Sequence, residues 1–400
     1  MASAPEARVP ICVLGAGPHG LAAVLHLKRA DPALARETVV IDPSGRWMSA
    51  WDSRFARLGI DVLRSPSVHH PAPEVDALSC FVAQHGFPTS GLPYDPPMAA
   101  AFRAFTRHLV EAAELSQPLA VRPSRITAEA DGGGVRIETS GSPLVADRLI
   151  VAANPHRRSI PPWVWPLCGQ SRAELAHADD VDLGSLTNLA GQRIAVVGGG
   201  LTAAHLATGA VDRGASVDLV ARRPLQIRPF DTDPGWLGPK CLRDFEDCPD
   251  PYQRFELARA ARDGGSMPQW MRDQLGHDQV AIHEGVWVLG AAPTSDGYCL
   301  GLANGESIRA NRVWLATGTA PDLGALGCLE PLLPDIARIG GLPVTDDELR
   351  VGVHPVHVAG RLATHTLGPA AGNLWGARQA AQRITRAVTG IDIDMLPNLP

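Results

Sequence analysis

Two short stretches carry residues whose type and spacing could hold a phosphate. At 11–20, "ICVLGAGPHG" ends an apolar run in glycines spaced G-x-G-x-x-G, namely Gly15, Gly17 and Gly20. At 194–203, "IAVVGGGLTA" repeats the pattern as Gly198, Gly200 and Ala203. In such a turn the first glycine permits a tight bend, the second lets the backbone approach a pyrophosphate, and the third lets helix and strand pack closely. The helix that follows directs its free N–H groups and positive end at the phosphates.

The elements that must position these turns are legible on either side. A strand over Val9–Leu14 precedes the first turn, and a helix over Leu21–Ala30 follows, with Leu21, Val24, Leu25 and Leu27 at helical spacing. A second strand, "TVVID" at 38–42, ends in Asp42, where a carboxylate can accept hydrogen bonds from a ribose. The later unit has the same order: strand "RIAVVG", helix "TAAHLATGAVDR", strand "SVDLVARR". It ends in Arg222 and Arg223, cations suited to a 2'-phosphate, so this unit is expected to take NADPH rather than NADH. Each unit continues into a strand meander, at 132–155 and at 296–321, the second with an Asn304-Gly305 hairpin signal. Two complete copies predict two nucleotide sites.

Composition fits this reading. A chain of 400 residues exceeds what one core usually supports, so two interlocked domains are expected. With 45% hydrophobic and 20% charged residues it reads as an ordinary globular protein, and a net charge of -6 gives no reason to expect nucleic acid or an anionic membrane. The opening "MASAPEARVP" has no secretion-signal pattern and no apolar run reaches membrane-spanning length, so a cytoplasmic protein is expected. Seven scattered cysteines without a C-x-x-C argue against a disulfide framework, a zinc site or a redox dithiol.

The paired turns, with "ATG" at 316–318 and "VHVAGRLATHTLGPAAGNLWGAR" at 356–378, resemble the two-dinucleotide-domain flavoproteins. Within them the chain looks most similar to the class B flavin-dependent monooxygenases, in particular the lysine and ornithine N-hydroxylase branch. The resemblance implies an α/β fold of two Rossmann-like domains in a glutathione-reductase-like architecture. A discontinuous FAD domain (1–160 and 311–400) would carry an inserted NADPH domain (161–310), with a substrate-covering insertion at about 225–285. FAD would lie against Gly15, Gly17, Pro18, His19, Gly20, Asp42, Trp47, Trp51, Thr317, Gly318, Gly360, Gly372, Asn373 and Leu374. NADPH would lie against Gly198, Gly200, Leu201, Thr202, Arg222 and Arg223.

The implied chemistry is reduction of FAD by NADPH, formation of a C4a-hydroperoxide with O2, and transfer of one oxygen atom to a small nucleophile, with N-hydroxylation of an amine foremost. Such chemistry belongs to the cofactor and needs neither a metal nor a catalytic triad. Two other readings stay open: a flavin-dependent NAD(P)H oxidoreductase or oxidase without oxygen insertion, and a nucleotide-bound regulatory protein without turnover. The sequence also departs from its relatives. The Baeyer–Villiger pattern F-x-G-x-x-x-H is not reproduced, since Gly169 and His177 lie too far apart, and Leu201 stands where many N-hydroxylases carry glutamine.

Three further residues are candidates for the reacting centre. Arg64 and Ser65, in "LGIDVLRSPSVHHPAP" at 58–73 with His69 and His70, could face the flavin, and Ser65 could hydrogen-bond near its N5. Lys240, in the tryptophan- and proline-rich stretch 228–271, could contact a carboxylate or the nicotinamide ribose, and Asp231 and Asp233 in the same stretch could select an amine. His354 and His357 are three apart on an expected strand and so point to opposite faces, which argues against a metal pair.

Overall fold

A computed structural model describes residues 7–130, 132–167, 175–262 and 265–396. Cys168 and Gly169, and most of the opening segment, lie outside the described residues.

The first unit folds as its pattern predicts. Strand β1 (Ala7–Leu14) leads through the glycine turn into α1 (Pro18–Ala30), then α2 (Pro32–Glu37) and β2 (Val39–Ile41). Helices α3 (Ser49–Leu58), α4 (Ala77–Gln84) and α5 (Ala99–Ala112) precede a meander of β3 (Pro123–Ala128), β4 (Val135–Thr139) and β5 (Leu144–Val151). Strand β1 lies between β2 and β5, parallel to both. The far edge of β5 is shared: β4 pairs antiparallel with Leu144–Ala146, and a late strand pairs parallel with Leu149–Val151.

The chain leaves this domain through β6 (His156–Arg158) and β7 (Leu175–His177), then builds β8 (Arg193–Val197), α6 (Leu201–Val211) and β9 (Ser216–Ala221). Next comes an excursion closed at its base, where β10 (Gln226–Ile227) pairs parallel with β11 (Ser266–Met267). It carries α7 (Pro239–Glu246) and α8 (Pro251–Ala261). Helix α9 (Gln269–Gln274) leads to β12 (Val280–Glu284), then to an antiparallel meander of β13 (Val288–Pro293), β14 (Tyr298–Leu302) and β15 (Ser307–Ala310), and then to β16 (Arg312–Leu315). The second sheet runs β12-β9-β8-β16-β7, all parallel. Strand β16 pairs with β8 and β7, so the second sheet continues through Leu315.

The return runs through β17 (Thr319–Pro321), antiparallel to β6, so the outgoing and returning segments lie side by side. A small hairpin of β18 (Arg338–Ile339) and β19 (Leu342–Pro343) precedes β20 (Val356–Val358), the late strand on β5. The short α10 (Thr364–Leu367) and the long α11 (Leu374–Thr389) finish the domain. Helix α11 packs along α1 through small residues, Ala22 against Ala377 and Ala381. One core joins the first sheet to its helices, with Ile11, Val13, Leu21, Phe102 and Phe105 at most 1% exposed. Two others cover the two faces of the second sheet, one under α6 and α9 and one under the β13–β15 meander. No described helix is long and apolar enough to cross a membrane.

Candidate functional site: two nucleotide turns and the cleft between them

At the first turn each glycine has a distinct structural reason. Gly15 has φ +108° and donates its N–H to Ile41 O at 2.9 Å; a Cβ there would press on the Ala152 backbone at 3.0 Å. A Cβ on Gly20 would overlap Gly15 O, which is the close packing of helix on strand. A Cβ on Gly17 would meet nothing within 4 Å, so the space in front of it is open. Gly17 is the extended N-cap of α1, no side chain caps that end, and Pro18 needs no N–H partner. The first N–H groups of α1 are therefore available to an anion, and the geometry fits a pyrophosphate.

Asp42 sits at the end of β2 beside this turn. Its Oδ2 accepts from Ala16 N at 3.0 Å and its Oδ1 from Ser44 N at 2.9 Å, leaving further lone pairs for hydroxyl donors. The two tryptophans behave differently from expectation. Trp47 is 9% exposed and donates its indole N–H to Ser116 O at 3.0 Å, so it is a core residue. Trp51 stacks on Phe55 at 3.7 Å and leans on Phe102. The contact that ties this segment to the turn is a backbone one, Met48 N to Ala16 O at 2.8 Å, with Met48 held at φ +61°.

The structure brings residues from the far end of the chain to the same turn. The His19 ring lies 3.6 Å from where a Cβ on Gly360 would be, and its Nε2 is 3.5 Å from Gly372 O. Burial pushes His19 down to about 4, against the opposing effect of the Gly372 contact, so the ring is neutral at pH 7. Asn373 is the extended N-cap of α11 and Leu374 its first residue, again with no side-chain cap. Gly372 has another use that its motif did not reveal. A Cβ there would clash with the stem of Arg361, and Arg262 Nη1 is 3.7 Å away. Arg361 donates to Thr319 Oγ1 and Thr319 O, both at 3.2 Å. Burial, with the charges of Arg262 and Arg54, pushes its guanidinium down to about 10. Neither Arg361 nor Arg262 stands out in the sequence, because nothing local marks an arginine that will be buried beside another.

The second turn repeats the geometry with one difference. Gly198 has φ +149°, and a Cβ there would overlap Ala316 O, as Gly15 does with Ala152. Gly200 is the extended, uncapped N-cap of α6. A Cβ on Gly200, however, would lie 3.0 Å from Gly265 Cα, so the excursion's closing strand crosses directly over this glycine. Leu201 packs against the core under α6, and Thr202 is half-buried. Arg222 and Arg223 are exposed immediately beyond β9; by register Ala221 is the counterpart of Asp42, since Gly15 N bonds to Ile41 O and Gly198 N to Val220 O, and the arginines follow it.

The three reacting-centre candidates have different surroundings. Arg64 is a clamp: it donates to Pro229 O (3.1 Å), Arg228 O (2.7 Å), Phe230 O (2.8 Å), Ser266 O (3.2 Å) and Ser266 Oγ (2.9 Å), and pairs with Asp231 Oδ1 at 2.6 Å. Every donor is spent on the excursion, which corrects the flavin-facing role. Ser65 beside it is half-buried, whereas Lys240 is exposed at the start of α7. Asp231 is held between Arg64 and Arg262 (3.4 Å), so its charge is already met. His70 is buried edge-on against Phe105. His357 Nδ1 donates to Glu348 O at 2.9 Å within its own domain, while His354 pairs with Asp335.

Thr317 and Gly318 lie at the crossing between domains. The Thr317 hydroxyl donates to Ser159 O, and Gly318 O accepts from Ser159 N and from His177 Nε2 at 3.2 Å. Both residues thus bond to the segment by which the chain leaves the first domain. The excursion docks on the C-terminal part of the first domain: Arg262 donates to Pro369 O at 3.0 Å, and Trp236, Leu242 and Phe245 surround Gly368.

Similarity to known proteins agrees with this architecture. No curated protein matches the sequence. The fold matches the cadaverine monooxygenase of the desferrioxamine pathway from Erwinia amylovora, at 18% identity and TM-score 0.73 over 96% of this chain and 95% of that one. It matches the ornithine N-hydroxylase of a Kutzneria species at 16% identity and TM-score 0.75, over 96% and 99%. It also matches the bacillithiol disulfide reductase of Bacillus cereus at 17% identity and TM-score 0.62, over 96% and 99%. The family described as pyridine nucleotide-disulphide oxidoreductase matches residues 9–235, which include both glycine turns and the Arg222–Arg223 end of the second, and the chain belongs to that family of oxidoreductases.

Proposed function

We propose that the chain is an FAD- and NADPH-dependent monooxygenase that places one oxygen atom of O2 on a nucleophilic nitrogen of a small amine. The observation that carries this reading is the pair of uncapped glycine turns with opposite charges beyond them, Asp42 after one and Arg222–Arg223 after the other. The end-to-end likeness supports it, with TM-scores of 0.73 and 0.75 to amine hydroxylases against 0.62 to a disulfide reductase. The described cysteines are free, and the sequence has no C-x-x-C to act as a dithiol, which favours oxygen transfer over disulfide reduction.

Bound flavin would supply hydride acceptance and activation of O2; the rest falls to the protein. Gly17 and the first N–H groups of α1 hold the FAD pyrophosphate, and Asp42 accepts from the ribose. The N-terminus of α11, with Arg361 and Arg262 beside it, supplies positive potential where negative charge grows on reduction. Arg222 and Arg223 hold the 2'-phosphate of NADPH. The excursion over 228–262, clamped by Arg64 and docked on the first domain, excludes water from the cleft.

The experiment is a stoichiometry. With ornithine, lysine and cadaverine as trial substrates, NADPH oxidised, O2 consumed and hydroxylamine formed should agree one to one for at least one amine. Hydrogen peroxide as the sole product with a wide amine panel would give the oxidase reading instead, and protein that never retains FAD would overturn both.

A further inference from the structure

A cavity of about 560 Å³ lies behind helix α6, and none of its lining residues belongs to either glycine turn. Its volume falls within the roughly 300–1,000 Å³ of small-molecule sites. Both domains build it. The end of α3 and the chain after it, Leu58 to Val62, form one wall, and the second half of α6 with α9 forms the other. Its floor is apolar, with Leu58, Leu183 and Met271 at most 4% exposed, and Trp270 forms part of its lining.

Its polar groups favour one sign of charge. Asp61 and Asp212 are exposed members of the lining. Helix α6 ends at Val211 in this wall, and its terminal carbonyls are already capped. The cation Arg213 is tied down, donating to Leu186 O and Gly209 O, both at 2.7 Å. His205 lines the cavity at 7% exposure, and no hydrogen bond engages its ring among the described residues. Burial, with the charge of Arg54, pushes it down to about 4, so the neutral ring offers a lone pair and adds no charge opposing a cation. That lone pair can accept from the N–H of an ammonium.

We propose that this cavity binds an organic ammonium with an apolar body, the cation held by Asp61 and Asp212, and the body against Trp270 and the Leu58–Met271 floor. The site is separate from the nucleotide turns, and a ligand in it touches both domains at once. The inference does not rest on oxygen transfer, since its readout is binding.

The test is isothermal titration of the FAD-loaded full chain, without reductant, with 4-phenylbutylamine and with 4-phenylbutanoate. The amine should bind and the carboxylate should not. The double variant Asp61→Asn, Asp212→Asn should weaken the amine about fivefold to tenfold, because exposed ion pairs are individually weak. Trp270→Ala should weaken it by a similar factor, and saturating NADP+ should not displace it. Equal binding of the carboxylate, indifference to all three substitutions, displacement by NADP+, or no amine binding at millimolar concentration would each overturn the proposal.

Discussion

The two nucleotide turns share spacing, strand register and an uncapped helix start, yet they use their second glycine differently. Gly17 faces open space, whereas Gly200 faces the backbone of Gly265. In both places the missing side chain permits a close approach, but in one the approach is left to a ligand and in the other the chain itself makes it. The G-x-G-x-x-G pattern therefore reports that something comes near the backbone, without saying what. The second turn gains a wall from the excursion, and Arg64 holds that wall in place.

The largest effect expected from this comparison is at the helix–strand contact. Gly20→Val would push a side chain into Gly15 O and should abolish soluble, flavin-retaining protein, as seen by expression and bound-flavin absorbance. Arg64→Ala should come next. It strands several carbonyls of 228–230 and the Asp231 charge, costing about 2–4 kcal/mol. Proteolysis should shift into 228–262, and NADP+ should bind about tenfold more weakly while FAD stays bound. If FAD is lost equally, the clamp serves the first unit instead.

Arg222→Ala should lower the preference for NADPH over NADH by about tenfold to a hundredfold, through loss of a charge-assisted contact to the 2'-phosphate. Equal losses with both coenzymes would refute the assignment. Gly17→Ala and Gly200→Ala sharpen the contrast directly. The first should leave the melting temperature nearly unchanged and weaken FAD, since its Cβ enters open space. The second should lower the melting temperature, since its Cβ presses on Gly265.

The most general effect is with pH. His19, His70 and His205 are pushed down to about 4 and His26 to about 3, in each case chiefly by burial. Between these values and the ordinary 6.5 the unfolded chain binds more protons than the folded one, so stability rises with pH. It should be fully present above about pH 6.5 and be lost as pH falls towards 4, at up to about 1.4 kcal/mol per pH unit for each histidine. Thermal melts from pH 7 to 4.5 check the sign.

Much of the fold was legible because its signals are local. The strand–turn–helix units and the Asn304-Gly305 turn between β14 and β15 each depend on a few neighbouring residues. The residues misjudged are those whose partners are remote. Arg64 looked like a flavin contact because its loop lies near the first turn, but its partners are more than 160 residues away. Trp47, placed near the cofactor by the resemblance, donates its indole N–H to Ser116 O, a partner 69 residues away.

By itself the sequence determined two dinucleotide turns and the charge beyond each, since glycine geometry and terminal side chains follow from short-range sterics and chemistry. Only the tertiary structure decided what those turns face. Gly265 over Gly200, Arg361 and Arg262 beside Gly372, and the Arg64 clamp all come from segments that meet only when two domains pack. Burial, which sets the cost of a charge and the state of a histidine, is a property of that packing and of no short stretch of chain.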